Sequence, residues 1–118
     1  MVQSVGEAPT VKAGLFHGLA DPSRLRVLEA CRKGPRCVSE IVDETGLSQP
    51  NVSAHLACLW DCGLVEREQR GRFVYYRIAD PRVEEILATA DDLLVTVGDK
   101  VYVCTRYHTE HSSDDPGG

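Results

Sequence analysis

The stretch Leu47-Ser48-Gln49-Pro50-Asn51-Val52-Ser53-Ala54-His55-Leu56-Ala57-Cys58-Leu59-Trp60-Asp61-Cys62-Gly63 decides the fold. Ser48 is a helix N-cap residue, Pro50 suits a first helical turn, and Gly63 ends a helix that runs to about Asp61. Val52, Leu56 and Leu59 recur at i, i+4 and i+7 and form a core stripe. Ser48, Gln49, Asn51, Ser53 and His55 are left on other faces. Short polar side chains at a helix N-terminus suit contacts with base edges and phosphates together. Taken alone, the segment reads equally well as a solvated helix. The residues immediately after it favour the nucleic-acid reading. Leu64–Glu68 and Phe73–Ile78 are β-rich runs joined by Gln69-Arg70-Gly71-Arg72, a glycine turn, and so predict a hairpin. Arg70 and Arg72 flank that glycine, placed to reach phosphates or a minor groove. An isolated hairpin is marginal in water, so this one must pack on the helices.

Upstream, Cys37–Thr45 reads as a short helix with Val38, Ile41 and Val42 inward and Gly46 at its C′ position. Before it, Asp21-Pro22-Ser23 starts a helix with Asp21 as N-cap and Pro22 at the first position. Its buried stripe is Leu25, Leu28 and Cys31, and Lys33-Gly34-Pro35 stops it. Val11, Leu15, Leu19 and Ala20 mark a helix from about Val11, preceded by a frayed arm over residues 1–10. Downstream, Asp80-Pro81 caps a last long helix, about Arg82 to Val97. Residues 99–118 read as a tail, disordered from Ser112. The fold class is mainly α with a β-hairpin: a helix-turn-helix followed by a two-stranded wing, over residues 11–98.

The chain of 118 residues and 13.0 kDa is one domain, too short for two lobes with a cleft between them. At 42% hydrophobic and 26% charged residues it has an ordinary globular composition. No apolar run approaches the roughly 20 residues of a membrane span, and Met1–Lys12 lacks a signal-peptide pattern, which predicts a cytoplasmic protein without a membrane role. The net charge of −5 is uneven: residues 1–47 are neutral, 48–78 carry +1, and 80–118 carry −6 with Asp80 included in the acidic count. The middle can therefore face phosphates while the end faces something else. Five cysteines, an odd number in a chain without a secretion signal, argue against a paired disulfide set.

Three ordered motifs carry a specific resemblance. Leu19-Ala20-Asp21-Pro22-Ser23-Arg24-Leu25-Arg26-Val27-Leu28 resembles the second-helix signature of the ArsR/SmtB family of metal-responsive repressors. Leu47–Leu56 is similar to that family's recognition helix, and Gly63-Leu64-Val65 with Arg70–Ile78 resembles its wing. The match covers about residues 13–97. It implies a winged-helix homodimer, paired through its first and last helices, that binds double-stranded operator DNA and lets go when metal binds.

Cys58 and Cys62 are four apart on the recognition helix. Four residues turn a helix by about 400°, which leaves the two Cβ atoms about 5–6 Å apart on one side. Relative to Val52, Leu56 and Leu59 lie near about 40° and −20°, whereas Cys58 and Cys62 lie near about −120° and −80°, beside Asn51 and His55. The thiols thus share the polar stripe, which is geometry for a shared soft metal ion rather than for small hydrophobes. A third ligand is needed from elsewhere. The segment Asn51–Val65 resembles the recognition helix of the cadmium/lead-sensing members of the family, both cysteines included. That resemblance implies a third thiolate from the C-terminal region, where Cys104 stands, given in cis or in trans.

Other sites of the family fit less well. Where many members have Cys-Val-Cys on the short helix, this chain has Cys37-Val38-Ser39, so Cys37 reads as a helix-start residue. From Asp80 to Val97 there is no histidine for a zinc, cobalt or nickel site, and Asp91 and Asp92 read as a solvated face. Cys31 reads as buried, His17 as structural or solvent-facing, and His108 and His111 as accessory ligands or a solvated tail. Three thiolates favour Cd(II) or Pb(II) as inducer, with Hg(II) or arsenite as rivals and a thiol redox or sulfide response as another. Catalysis is disfavoured: Cys58 and His55 adjoin, but nothing supplies an orienting acid and an oxyanion hole. No protein partner beyond a second copy is implied.

Overall fold

In the computed structural model, Asp21 opens α2 (Pro22–Ala30) as its capping pattern predicts. Its carboxylate accepts the N–H groups of Ser23 at 2.9 Å and Arg24 at 3.1 Å. The structure describes the backbone of residues 8–111 and the side chains of residues 9–97 and 100. Before α2 lies α1 (Ala8–Leu19); after it come a 3-10 turn (Cys31–Lys33), β1 (Arg36–Cys37), α3 (Val38–Thr45), α4 (Gln49–Asp61), β2 (Val65–Arg70), β3 (Phe73–Ile78) and α5 (Pro81–His111). The chain divides into two compact units at Pro81/Arg82, so α1 to β3 form the first and α5 the second.

The first unit has the helix-turn-helix and wing that its sequence predicts. Val27, Leu28, Cys31, Ile41, Val52, Leu56, Leu59 and Val65 are each at most 2% exposed. They come from α2, the 3-10 turn after it, α3, α4 and the base of β2, so one core joins α4 to the wing. Each fully buried aliphatic side chain contributes roughly 1.5–3 kcal/mol. The turn between α3 and α4 is built by Gly46 in the left-handed region at φ 76°, whose N–H donates to the Val42 carbonyl at 2.9 Å. Ser48 then caps α4, its Oγ accepting the Asn51 N–H at 3.3 Å.

Four expectations need correction. The wing is part of a three-stranded antiparallel sheet ordered β1-β3-β2, because Arg36 and Cys37 pair with Tyr76 and Tyr75. The hairpin loop is two residues, not four: β2 runs on to Arg70, which pairs with Phe73. Gly71 sits at φ 65° while Arg72 has negative φ, the pattern of a type II′ turn, whose twist matches the flanking strands. The first helix starts at Ala8, so the arm expected over residues 1–10 is shorter, and residues 1–7 lie outside the described ones. The last helix runs to His111 instead of Val97. Gly98-Asp99 does not stop it, since one glycine inside a helix costs only about 1 kcal/mol relative to alanine and no proline follows. Cys104, His108 and His111 therefore stand within α5 and not in an extended tail, and their side chains lie outside the described residues.

Candidate functional site

Two groups of side chains project from α4, and the core stripe separates them from the interior. Val52, Leu56 and Leu59 point inward, while Gln49, Asn51 and Ser53 are exposed and His55 is half-buried. Ser48 is exposed too, with its hydroxyl engaged in the cap. Gln49, at the start of α4, and Arg72, at the hairpin turn, line one open groove of about 460 Å³ together with Ser39, Phe73 and Tyr76. The structure thus brings the N-terminus of the reading helix and the wing tip onto one face.

The two wing arginines differ. Arg70 pairs with Glu68 at 3.1 Å, both exposed, and lies over the Tyr75 ring at 5.0 Å. Arg72 lies over the Phe73 ring at 6.0 Å and forms no ion pair among the described residues. Arg77 is held by Glu66 at 2.8 Å. Exposed pairs contribute about 0–1 kcal/mol, so phosphate can displace Glu68 from Arg70, but Arg72 has no carboxylate to lose.

On the same polar stripe, Cys58 is half-buried and Cys62 exposed, and both are free thiols. They are near enough for Cys58 to act electrostatically on Cys62. Desolvation pushes the Cys62 thiol above its ordinary range, and the neighbouring Cys58 adds to this, while the Arg24 charge opposes it. A lone thiophilic ion would find two soft, adjacent, solvent-reachable donors here, which fits half of a thiolate site. Among the described residues no three His, Cys, Asp or Glu side chains converge as a metal site. The side chain of the expected third ligand, Cys104, lies outside the described residues.

The other cysteines behave as expected. Cys31 is 2% exposed, and burial pushes its thiol up to about 12. Such a thiol is neither nucleophile nor ligand at neutral pH. Cys37 is the N-cap of α3; its N–H donates to Glu40 Oε1 at 3.0 Å, and its Sγ lies 3.3 Å from Ser39 Oγ.

Three residues were not connected with the site from sequence. The Asp21 carboxyl is held below its ordinary range, chiefly by the Arg24 N–H, with the charges of His55 and Arg24 adding to this. Arg24 acts electrostatically on Cys62 and donates through Nη1 to the Gly18 carbonyl at 2.8 Å. Arg67 stacks 4.3 Å over the Trp60 ring. Periodicity tells which face of a helix a residue occupies, not which residues of another helix face it. The Arg70–Glu68 pair did have a signal, because residues two apart in a strand share a face.

Residues 21–67 match the family described as bacterial regulatory protein, arsR family. A probable mercury resistance operon repressor of Streptomyces lividans is 40% identical over 98 residues, which is 83% of this chain and 78% of that protein. The HTH-type transcriptional regulator CmtR of Mycobacterium bovis is 38% identical over 85 residues, 72% of each chain. Among solved structures, the homodimeric winged helix-turn-helix DNA-binding domain of a possible ArsR-family regulator from Mycobacterium bovis superposes with a TM-score of 0.67 at 31% identity. It covers 79% of this chain and 85% of that one.

Proposed function

This chain belongs to the arsR family of bacterial regulatory proteins, a DNA-binding transcription regulator and not an enzyme, and from that premise we propose that it is a metal-sensing repressor. The metal-free homodimer holds operator DNA, and a soft metal ion releases it. Ser48, Gln49, Asn51, Ser53 and His55 read the major groove, and Arg72, with Arg70 once Glu68 is displaced, holds phosphate. The shared face of Gln49 and Arg72 supports this. Dimerisation through α1 and α5 is supported by their exposed apolar side chains: Val11 and Phe16 at 55% and 54%, and Leu93 and Val95 at 58% and 87%. Among the described residues no helix is long and apolar enough to cross a membrane. The proposed place of action is the cytoplasm, where operator DNA and reduced thiols coexist.

The observation that carries the sensing reading is the pair of free thiols Cys58 and Cys62, four apart on α4 and off its core stripe. Cys104 of the partner subunit is the proposed third donor. When bound, the metal supplies a cross-link between these side chains. The thiols must first lose their protons, and Cys62 holds its proton more firmly than an ordinary thiol, so affinity rises with pH through neutrality. Cd(II) or Pb(II) is the proposed inducer, since a thiolate set without imidazole favours large soft ions. Hg(II) is the second reading, favoured by the likeness to a probable mercury resistance repressor. The raised Cys62 thiol runs against an oxidant-sensing reading, which needs a low-pKa thiolate.

The test mixes a Cys58→Ser/Cys62→Ser chain with a Cys104→Ser chain. The heterodimer should regain one complete site and a thiolate–cadmium absorption band that neither parent shows. A mixture with no band above its parents means the site is not built across the dimer. Titrating Cd(II), Pb(II) and Hg(II) against the operator complex ranks the inducers.

A further inference from the structure

α3 buries Ile41 at 0% exposure, and the helical turn puts Ser39 and Asp43, four apart, on its outer face, both exposed. That face forms one wall of the open groove whose other walls carry Gln49 of α4 and Arg72 of the wing. Most carboxylates of the first unit are engaged. Asp21 caps α2, Glu40 accepts the Cys37 N–H, Glu29 pairs with Arg32, Glu44 with Lys33 and Arg36, Glu66 with Arg77 and Glu68 with Arg70. Asp43 has no ion pair or hydrogen bond among the described residues. Asp61 shares that state, but it ends α4 and does not line the groove. Asp43 also stands in the last turn of α3, where the helix dipole disfavours a negative charge. Its charge therefore stabilises neither its own helix nor a neighbouring element. Arg72 likewise has no ion pair among the described residues, so the groove holds one cation and one anion that do not pair with each other.

We propose that Asp43 is an affinity-setting residue of the DNA interface, an electrostatic brake whose repulsion of phosphate offsets the attraction exerted by Arg72. The inference rests on the reading that this groove faces DNA. Binding without regard to sequence comes almost wholly from cations meeting phosphates. Arg72 and Asp43 are the charged side chains that line the groove, so its net charge is zero. An unpaired carboxylate facing the duplex repels the phosphates of every sequence alike. Contacts from Gln49 and its neighbours to base edges are gained only on the right sequence. A uniform penalty therefore leaves a poorly matched duplex unbound at a protein concentration that still fills a matched one. It also keeps the matched complex within reach of release, because a coupling of fixed size empties a moderately held operator and leaves a tightly held one occupied.

The test uses the full-length, metal-free protein and two probes: a duplex that the wild-type protein selects from a random pool, and a duplex of mixed sequence. Asp43→Asn removes the charge at nearly constant shape, and Asp43→Glu keeps it. The Asn variant should bind both probes more tightly by the same factor, roughly threefold or more at low salt, with a salt slope steeper by up to about one phosphate equivalent per subunit. The gain should fade as salt rises, and the Glu variant should bind like wild type. Denaturant titration should find the Asn variant at least as stable as wild type, because a carboxylate has left the negative end of α3. Should the Asn variant fold badly, Asp43→Ser, also neutral, should show the same gain. Unaltered affinity in the neutral variants, or a gain that persists undiminished at high salt, overturns the proposal. Tighter binding of the mixed duplex with looser binding of the selected one also overturns it, since Asp43 then contacts a base. If Arg72→Ala leaves the salt slope of both probes unchanged, the groove does not face DNA and the underlying reading falls as well. A flattened Arg72→Ala slope with unaltered Asp43 variants removes this inference alone.

Discussion

Cys31 closes α2 and Cys62 closes α4, two helices of one core, and their thiols have opposite fates. Cys31 lies among aliphatic side chains at 2% exposure, its proton held up to about 12. Cys62 is exposed, adjoins a second thiol and lies within the field of Arg24. Chemistry follows position: the same side chain is a small hydrophobe on an inner face and a ligand on an outer one. The two faces of α4 repeat the contrast. Val52, Leu56 and Leu59 hold the core, while the stripe beside them is free to meet DNA or metal.

Substitutions across these faces can break the comparison. The largest effect on stability belongs to the inner stripe of α4. Leu56→Ala should lower unfolding free energy by about 2–5 kcal/mol in denaturant titrations, whereas Asn51→Ala should leave it nearly unchanged and weaken operator binding. Cys31→Ser should cost roughly 1–3 kcal/mol by burying a hydroxyl, yet retain metal-driven release. Cys62→Ser should do the reverse, losing release in an operator-binding assay while stability holds. If Cys31→Ser abolishes release, the division between inner and outer thiols fails.

A smaller effect sharpens the boundary between faces. Asp21→Ala should cost about 1 kcal/mol, the usual value of an N-cap. The folded carboxyl titrates below 3.8, so its contribution is full above that value and disappears as pH falls through the lower folded pKa. Acid unfolding of wild type and variant should therefore converge at low pH. The smallest effect separates the wing arginines. Arg72→Ala should flatten the salt dependence of operator binding by about one phosphate equivalent per subunit, and Arg70→Ala by less, because Glu68 competes for it. Equal slopes would mean the Glu68 pair has no influence on DNA contact.

Much of this was legible in the chain because it is governed by near neighbours. The Ser48 cap, Gly46 at a left-handed C-cap, Gly71 in the hairpin and the i, i+4, i+7 stripe of α4 all follow from residues within one or two turns. The outward placement of Cys58 and Cys62 followed from the same helical angle. What escaped depends on distant partners. Two residues, Arg36 and Cys37, become a strand only because Tyr75 and Tyr76 lie alongside, about forty positions later. Asp21 read as a cap and Arg24 only as part of the second-helix signature, and nothing local shows that His55 and Cys62 of α4 interact electrostatically with them. The last helix was expected to end at about Val97, and α5 instead continues through Gly98-Asp99 to His111.

Trp60, the chain's only tryptophan, is 40% exposed, two positions from Cys62, with Arg67 stacked on its ring. The protein therefore carries its own fluorophore at the edge of the thiol pair. Heavy ions quench indole emission through spin–orbit coupling, and a cation leaving the ring shifts its colour. Occupancy can be followed optically in the unlabelled protein, with Arg67→Ala separating quenching by the ion from loss of the stack.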